Sequence, residues 1–396
     1  MLPVPNRVLS RFHITSSGYI NINQHLNLVM NILNFFCNRR KASKRKNSRY
    51  GSVSLTGYKN CNPESPWVNQ DSFIIGHADK LLRNDDLNGD WKDNDDDDND
   101  VDDSNITKVE AAAPNSNDHS KSDDFICAVF DGHGPNGHLV SAHCKDRIIS
   151  ILDDHNDQCA KKTFACLQHE LEDKSYASSS GTTCTLMKIS KDPSGSASII
   201  QVCNVGDSQA FLGVRRSIHG KLEPVRLTMV HTPESEAEAR RIKDSGGEVY
   251  SKLVYDEKNK VSLEGPLRVW YRCDKTNKVI GLAMTRSLGD CSAHRVGVSC
   301  EPDEVVRSIS QDDEFIILCS DGVTDVMSPE EVTVMMDQYM SSLPPLQNRY
   351  EWDPQTAATM IVSQARKRWQ RDCSHIDDVT CCVVKLRDAQ DHYFLK

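Results

Sequence analysis

A short apolar run that ends on an aspartate and a group of glycines limits what this chain can fold into. The run is FICAVF, residues 125–130. Its β-branched and aromatic residues indicate a buried strand, because such residues fit a pleated, packed surface. Asp131 ends the run, and the segment GHGPNG follows it. A buried carboxylate is costly without a cation or several donors, so we expect Asp131 to lie in a cleft beside such a group.

Two chemical interpretations of this glycine loop remain open at this point. Gly132-x-Gly134-x-x-Gly137 between a strand and a helix fits a dinucleotide-binding loop, with Asp153 at a suitable distance for a ribose contact. That fingerprint expects the acid at the end of a second strand, whereas residues 137–152 are predicted to be helical. The other interpretation is a metal site with Asp131 as a ligand, which predicts further aspartates at other strand ends.

Composition narrows the class of protein. The chain has 396 residues, enough for a large core or two, and its 38% hydrophobic and 26% charged content is ordinary for a soluble globular protein. A net charge of −10 argues against a general nucleic-acid binder. No apolar run reaches transmembrane length. The fifteen cysteines form no C-x-x-C pair and no zinc spacing, which favours a reducing compartment without disulfides.

Residues 1–47 are predicted to form a basic, disordered extension. No acidic residue precedes Glu64, and basic residues cluster between Arg39 and Arg49. A nuclear signal, a transit peptide, or a membrane-surface patch with an acylated Cys37 remain open alternatives, and Met30 is an alternative start. We expect the chain in the cytoplasm, the nucleus or both.

Residues 83–124 are predicted to be a disordered insertion between two strands. The segment is dense in aspartate and repels itself, so it cannot pack. Residues 84–89 resemble the start of a calcium loop, but the twelfth position is Asp95 rather than Glu, and no clear helices flank it. A solvated spacer is therefore the favoured interpretation.

The remaining chain alternates between strand and helix patterns. Strands are predicted at 51–57, 69–75, 182–189, 197–205, 209–214, 315–319 and 379–386. Helices are predicted at 137–152, 158–174, 233–244 and 354–371. Residues 252–279 alternate without a strong period and are predicted to be an excursion over the surface.

Aspartates recur where the predicted strands begin or end. The five positions are Asp71, Asp131, Asp207, Asp321 and Asp377. Each alone is explained by the preference of Asp for turns and caps. If the strand ends meet at one rim, however, the carboxylates repel each other unless divalent cations hold them. Oxygen ligands without His or Cys favour Mg²⁺ or Mn²⁺, and two such ions roughly 3.5–4 Å apart can bridge a water and clamp a phosphoryl group.

The chain resembles the metal-dependent protein phosphatases of the protein phosphatase 2C type. The motifs that carry this resemblance stand in family order over about residues 48–387: VNQDSF, FDGHGPNGH, SSGTTC, CNVGDSQAFL, HTPESEAEARRIKDSGGEV, GLAMTRSLGD, LCSDGVTDVMSPEEV and HIDDVT. The resemblance implies an α+β fold, a β-sandwich of two antiparallel sheets flanked by α-helices. It also implies a catalytic domain at 48–388, with the acidic insertion inside it and a tail at 389–396.

The resemblance implies a binuclear metal site in a cleft at one end of the sandwich. Asp131 would bridge two Mg²⁺ or Mn²⁺ ions, and the Gly132 carbonyl would bind one of them. Asp321 and Asp377 would complete the core site. Asp71 would act mainly through metal-bound water.

Three further roles follow from the same resemblance. Asp207 and Asp325, with Asp321, resemble the family's weaker third metal site. His133 matches the general acid that protonates the leaving Ser or Thr alkoxide. The implied enzyme is a protein-serine/threonine phosphatase, which hydrolyses phosphoprotein substrates by attack of a water that bridges two metals. We expect a monomer, because the sequence shows no oligomerisation element.

The sequence departs from the family pattern at a few positions. Pro66 stands where a phosphate-binding Arg or Lys is usual, and Lys59 is a candidate replacement. Gln70 replaces the acid that many members carry before Asp71, and Asp378 stands where Asn is common. The stretch 252–279 aligns with the family's flap, which borders the cleft and shapes substrate choice. A catalytically silent pseudophosphatase that docks a partner is the alternative, which Pro66 supports and the intact core ligands oppose.

Overall fold

The computed structural model describes residues 49–59, 68–82, 124–154, 160–192, 194, 198–217, 220–255, 261–343, 351–373 and 375–387. Pro66, the extension 1–47, nearly all of the insertion 83–124, including the calcium-loop segment, and the tail 389–396 lie outside these residues. The predicted domain boundaries therefore stay predictions. At the insertion, the Ala78 amide donates to the Asp124 carbonyl at 2.8 Å.

Strands dominate the described chain, and the paired strands run antiparallel to one another. In chain order the strands are β1 (Tyr50–Leu55), β2 (Tyr58–Lys59), β3 (Ser72–His77), β4 (Phe125–Phe130), β5 (Gly132–His133), β6 (Gly181–Thr182), β7 (Cys184–Lys191), β8 (Ser198–Val205), β9 (Gln209–Val214), β10 (Glu223–Arg226), β11 (Glu248–Tyr255), β12 (Val261–Arg272), β13 (Val279–Leu282), β14 (Leu288–Gly289), β15 (Asp303–Ser308), β16 (Asp313–Cys319), β17 (His375–Ile376) and β18 (Val379–Lys385).

Helices connect and cover these strands. They are α1 (Ala78–Leu82), α2 (Gly137–Asp154), α3 (Ala160–Glu172), α4 (Glu236–Asp244), α5 (Cys291–His294), α6 (Asp321–Thr324), α7 (Pro329–Ser341) and α8 (Pro354–Asp372). In the described part of the chain, no helix is long and apolar enough to cross a membrane. Helix α4 begins three residues later than the sequence predicts, at Glu236, because the preceding residues form a turn in which the Ser235 amide donates to the Thr232 carbonyl.

Two five-stranded antiparallel sheets form the centre of the fold. The first has the strand order β15-β8-β7-β4-β3, and the second has the order β1-β18-β16-β9-β10. Their facing sides share one apolar cluster. A second cluster joins the first sheet to α2 and α3, and a third joins the second sheet to α7 and α8. The architecture is therefore a β-sandwich between two helical layers, which confirms the predicted fold class.

Strand β4 shows why its sequence is apolar at every position. Side chains alternate between the two faces of a strand. Phe125 and Val129 lie in the cluster between the sheets, whereas Ile126 and Phe130 lie in the cluster beneath α2 and α3. Both faces are covered, so all six residues are buried.

The dinucleotide interpretation of the glycine loop is wrong. Asp153 lies in the last turn of α2, and α3 is the next element along the chain. The fingerprint needs this acid at the end of a second parallel strand. No parallel strand pair is present among the named strands of the described residues.

The predicted surface excursion is a regular sheet. Strands β11, β12 and β13 form an antiparallel unit with an irregularity in register after Ser251. The Trp270 ring stacks on Tyr250 with centroids 5.3 Å apart, and its Nε1 donates to the Tyr250 carbonyl at 2.8 Å. The unit coincides with the stretch that aligns with the family's flap.

A hydrogen bond from Trp369 connects α8 to the short helix α6 at the end of β16. Trp369 Nε1 donates to the buried Gly322 carbonyl in α6 at 2.7 Å. Trp369→Phe leaves that carbonyl without a donor, which should lower the free energy of unfolding by about 1–3 kcal/mol. Urea denaturation followed by circular dichroism measures this. Trp270→Phe is the control: it removes an equivalent hydrogen bond in the half-buried flap and should lower the free energy of unfolding by less than half as much. Equal unfolding midpoints for Trp369→Phe and the parent would contradict the prediction.

Candidate active site

In the first sheet, antiparallel pairing brings strand ends with aspartates to one edge. The first residue of β3 pairs with the last residue of β4, and the first residue of β7 pairs with the last residue of β8. Asp71 directly precedes β3, Asp131 directly follows β4, and Asp207 follows β8 by two residues. An antiparallel neighbour begins where its partner ends. Three of the predicted ligands therefore lie along one edge of this sheet.

The second sheet presents its aspartates at the same end of the sandwich. The last residue of β16 pairs with the first residue of β9 and with a residue near the start of β18. Asp321 follows β16 and opens α6, Asp325 closes α6, and Asp377 lies two residues before β18. Asp207 lies between β8 of one sheet and β9 of the other, so it joins the two edges.

A hydrogen bond links the two sheets beneath these aspartates. The Ser320 hydroxyl donates to Asp71 Oδ2 at 2.9 Å, and the Thr380 amide donates to the Ser320 oxygen at 3.0 Å. Ser320 and Thr380 are fully buried and Asp71 is 8% exposed. The Asp71 carboxylate is thus fixed against β16 and β18, although it belongs to the other sheet.

Two of the departures from the family pattern hold the neighbouring loops. The Asp378 carboxylate accepts from the amides of Gly57 at 2.6 Å and Gln70 at 2.8 Å. The Gln70 side chain, with its amide nitrogen turned toward the glycine loop, donates to the carbonyls of Gly132 and Gly134 at 3.1 Å each. The carbonyl predicted to bind a metal is thus oriented by Gln70.

Sequence reasoning missed two hydroxyls beside the cluster, those of Thr183 and Ser208, the first of which holds Asp131. The Asp131 amide donates to Thr183 Oγ1 at 3.0 Å, and the Thr183 amide donates to the Asp131 carbonyl at 2.8 Å. Thr183 Oγ1 also hydrogen-bonds to Ser208 Oγ at 2.8 Å. Both hydroxyl residues are fully buried. A run of small hydroxyl residues directly before a buried strand was the available signal.

The carboxylates are close enough to change each other's acidity. Burial, followed by the charges of Asp71, Asp321 and Asp207, raises the pKa of Asp131 well above its usual value. Asp131, when protonated, is also within reach to donate a hydrogen bond to Asp321. Burial, followed by the charges of Asp207, Asp377 and Asp325, raises the pKa of Asp321 in the same way.

The outer members of the cluster are affected similarly. Burial raises the pKa of Asp71 to about 7, with a further contribution from the Asp378 charge. Burial, with the charges of Asp207 and Asp377, raises the pKa of the more exposed Asp325 to about 6. Burial also raises the pKa of Asp207. The structure therefore brings all six predicted carboxylates into one electrostatic cluster.

The chemistry of this cluster fits a hard divalent cation. Asp71 Oδ1 and Asp207 Oδ1 are buried and have no hydrogen-bond partner. Buried, unsatisfied anionic oxygens are costly, and a cation relieves that cost. Oxygen donors are the ligands that Mg²⁺ and Mn²⁺ prefer. Within the described residues no three Asp, Glu, His or Cys side chains are arranged so that they could hold a metal ion as they stand. Metal binding therefore stays a prediction.

His133 faces a partner that sequence reasoning missed. Its Nε2 lies 2.6 Å from Oδ2 of the buried Asp290. Burial alone would lower the pKa of His133, but the charge and hydrogen bond of Asp290, with a contribution from Asp207, raise it overall. Gly289-Asp290 follows the same pattern as Gly206-Asp207, a glycine and an acid at a strand end, and that pattern was the available signal.

Comparison with known proteins decides the family. The model of the family described as "Protein phosphatase 2C" matches residues 97–374, more than half of the chain.

The chain belongs to the protein phosphatase 2C family. The family is in general metal-dependent. The matched range includes Asp131, Asp207, Asp321 and Asp325, whereas Asp71 and Asp377 lie outside it.

Two plant members of the family illustrate the similarity. "Probable protein phosphatase 2C 64" of Oryza sativa subsp. japonica is 32% identical over 290 residues, which cover 69% of this chain and 61% of the relative. "Probable protein phosphatase 2C 65" of Arabidopsis thaliana is 30% identical over 297 residues, which cover 67% of this chain and 69% of the relative. The chain thus spans less than two thirds of the length of the rice relative.

Solved structures support the fold. "Structure of a C.elegans sex determining protein" superposes with a TM-score of 0.59 at 18% identity, covering 93% of this chain and 73% of that one. "Crystal structure of serine-threonine phosphatase 2C from Toxoplasma gondii" superposes with a TM-score of 0.56 at 17% identity, covering 85% and 94%. At such identities the likeness concerns the fold alone.

The raised pKa of Asp71 predicts how the metal-free protein responds to pH. Its folded pKa of about 7 exceeds the usual 3.8, so the folded state holds this proton more tightly. The resulting stability is present at pH 4 and is lost as the pH rises through 7. In EDTA, Asp71→Asn should therefore reduce the loss of unfolding free energy between pH 5 and pH 8 by roughly 1–4 kcal/mol.

Urea denaturation at several pH values measures this slope. Asp337→Asn is the matched control, because Asp337 pairs with Arg215 outside the cluster and should leave the slope as in the parent. An Asp71→Asn slope equal to that of the parent would contradict the assignment of Asp71 to the cluster.

Proposed function

We propose that this chain is a Mg²⁺- or Mn²⁺-dependent protein-serine/threonine phosphatase. The observation that carries the proposal is the cluster of six aspartates, contributed by the ends of strands from both sheets and by the short helix α6. Such a cluster is electrostatically unfavourable by itself and becomes favourable when cations neutralise it. Membership of the protein phosphatase 2C family supports the reaction class.

We assign the ligands of two metal ions to Asp131, the Gly132 carbonyl, Asp321 and Asp377, with Asp71 acting through bound water. Asp207 and Asp325, with Asp321, are assigned to a weaker third ion. When bound, the ions supply charge that stabilises the phosphoryl group and lowers the pKa of the attacking water. The orphaned buried oxygens of Asp71 and Asp207 support this assignment.

His133 is assigned the role of general acid. Cleavage of a phosphoserine or phosphothreonine ester releases an alkoxide, which needs a proton from a nearby donor. His133 is separated from Asp131 by one residue, and its side chain is 20% exposed. A partly exposed imidazole beside the cluster can exchange its proton with solvent between turnovers.

The missing basic residue at Pro66 has a candidate replacement. Strand β2 pairs with β17, with Lys59 opposite His375, and β17 ends directly before Asp377 in the chain. This backbone register is compatible with Lys59 as our candidate for the missing basic residue.

The substrates we propose are phosphorylated proteins, and the flap unit β11–β13 is the element proposed to choose among them. We further propose that the enzyme acts as a monomer, does not bind nucleic acid, and works in the cytoplasm, the nucleus or both. The basic segment within residues 1–47 supports the nuclear part of this proposal.

The activity assay uses the full chain with a phosphothreonine peptide and an aryl phosphate, in Mg²⁺, Mn²⁺ or EDTA. Turnover should require the metal. Asp131→Asn and Asp321→Asn should each reduce kcat at least about 10²-fold, because each removes charge at the centre of the cluster. Phosphate release measures the rate, and thermal denaturation checks folding.

Asp337→Asn is again the matched control and should retain the parent's rate. A folded parent protein that releases no phosphate with either ion would overturn the enzyme proposal and favour the docking pseudophosphatase. Turnover in EDTA would overturn the metal-dependent mechanism alone.

A further inference from the structure

Three two-residue strands bring His133 beside an acid from a distant part of the chain. Strand β5 pairs with β6, and β6 pairs with β14, so that His133, Gly181 and Gly289 lie in register. Asp290 directly follows β14. Its Oδ2 lies 2.6 Å from His133 Nε2, although 157 residues separate the two positions. This small sheet lies outside the two main sheets and ends at the His–Asp contact.

Asp290 is held firmly in this position. Its side chain is 1% exposed, Ser287 Oγ donates to Oδ2 at 2.7 Å, and its backbone amide donates to the Ser180 carbonyl at 2.9 Å. Its backbone has φ 44 and ψ 40, in the left-handed region. Residues other than glycine adopt that region at a cost, and they persist there when the surrounding structure enforces it. The fold therefore tolerates strain at Asp290 to keep its carboxylate at His133.

Gly181 leaves the space in which the two side chains meet. A Cβ at this position would collide with Asp290 Oδ2 and would lie 2.8 Å from His133 Nε2. Any side chain larger than hydrogen would therefore separate the imidazole from the carboxylate. The glycine is needed for the contact itself, in addition to the turn that precedes it.

The contact fixes the orientation of the imidazole ring. A carboxylate accepts hydrogen bonds, so Nε2 carries a hydrogen that points at Asp290. The other nitrogen, Nδ1, is buried and has no hydrogen-bond partner among the described residues. A hydrogen bond to one ring nitrogen holds the whole imidazole in one orientation.

We propose that Asp290 is a positioning residue, which holds the His133 imidazole through Nε2 in the orientation from which His133 protonates the leaving oxygen. This inference rests on the proposed phosphatase function. In the step, water oxygen forms a bond to phosphorus, and the bond between phosphorus and the Ser or Thr oxygen breaks with its electron pair on that oxygen. A proton of the His133 imidazolium passes to this oxygen, giving the alcohol, and the attacking water's proton leaves to solvent. Neutral His133 then regains a proton from solvent.

A purely structural role for Asp290 predicts a different kinetic result. A destabilised or distorted site slows all substrates alike. Loss of a positioned acid slows only substrates whose leaving oxygen is strongly basic, because a weakly basic leaving group departs without protonation. The comparison of two leaving groups therefore separates the two roles.

The test measures kcat of the full chain with saturating Mn²⁺ on a phosphothreonine peptide and on 4-nitrophenyl phosphate. The variants are Asp290→Asn, His133→Ala and the double variant. Asn keeps the size of Asp and tolerates the left-handed backbone. For Asp290→Asn we expect kcat on the peptide to fall about 10²-fold and kcat on 4-nitrophenyl phosphate to fall less than about threefold. The double variant should be no slower than His133→Ala, because the two residues act as a unit.

Asp313→Asn is the matched control. Asp313 is also fully buried and paired with a cation, Arg307, but it lies at the opposite end of β16 from the cluster. Its loss should lower stability without changing the ratio of the two rates. If Asp290→Asn fails to fold, Gly181→Ala is measured in its place, since it displaces the carboxylate without changing it.

The outcomes separate this inference from the proposed function. A parent that hydrolyses neither substrate overturns the phosphatase proposal and the positioning role with it. An active parent whose Asp290→Asn variant loses both rates equally, or loses neither, overturns the positioning role alone. A double variant slower than His133→Ala by the full Asp290→Asn factor also overturns it.

Discussion

Mutual repulsion among buried carboxylates is the constraint on which the rest of this structure depends. Six aspartates lie at one end of the sandwich. Burial, followed by the charges of neighbouring aspartates, raises the pKa values of Asp71, Asp131, Asp207, Asp321 and Asp325. Two of the cluster's oxygens are buried without a hydrogen-bond partner. An isolated loop would separate such charges. Here Asp131 and Asp321 follow strands β4 and β16, in which every residue is buried, so separating their charges would require these strands to leave the core. The free energy gained by burying the apolar layers therefore offsets the repulsion between the carboxylates.

The pairing register of the strands fixes the positions of the aspartates in the cluster. A shift of one residue in an antiparallel pair would turn every side chain of that strand to the opposite face. In β4 and β16 both faces contact different apolar clusters, so such a shift would mismatch both. The Ser320–Asp71 bond adds a direct link between the sheets, across 249 residues of sequence. The strand ends, and hence the aspartates, are fixed by packing far from the site.

The sequence predicted the strands and the aspartates at their ends because both signals are local. The run 125–130 forms a strand with the predicted bounds, and the two-sheet architecture is as the family resemblance implies. The Gly289-Asp290 pattern marks Asp290 only as an acid at a strand end, and nothing near it in sequence indicates that His133 lies beside it. Pairing through three two-residue strands creates that contact, and such short strands carry no periodic pattern. The sequence analysis also did not predict the strands of the flap, because these strands are half-exposed and their polar and apolar residues alternate irregularly.

Gly132 lies between Asp131, which belongs to the carboxylate cluster, and His133, which contacts Asp290. A Cβ at Gly132 would lie 2.5 Å from the Gln70 carbonyl oxygen and 2.6 Å from that of Gly137, so only glycine fits between them. The backbone passes through this narrow space with an acidic group on one side and the imidazole on the other. The order of residues in the loop thus follows from packing: a larger residue at the centre would move the carboxylate cluster relative to the His133–Asp290 pair.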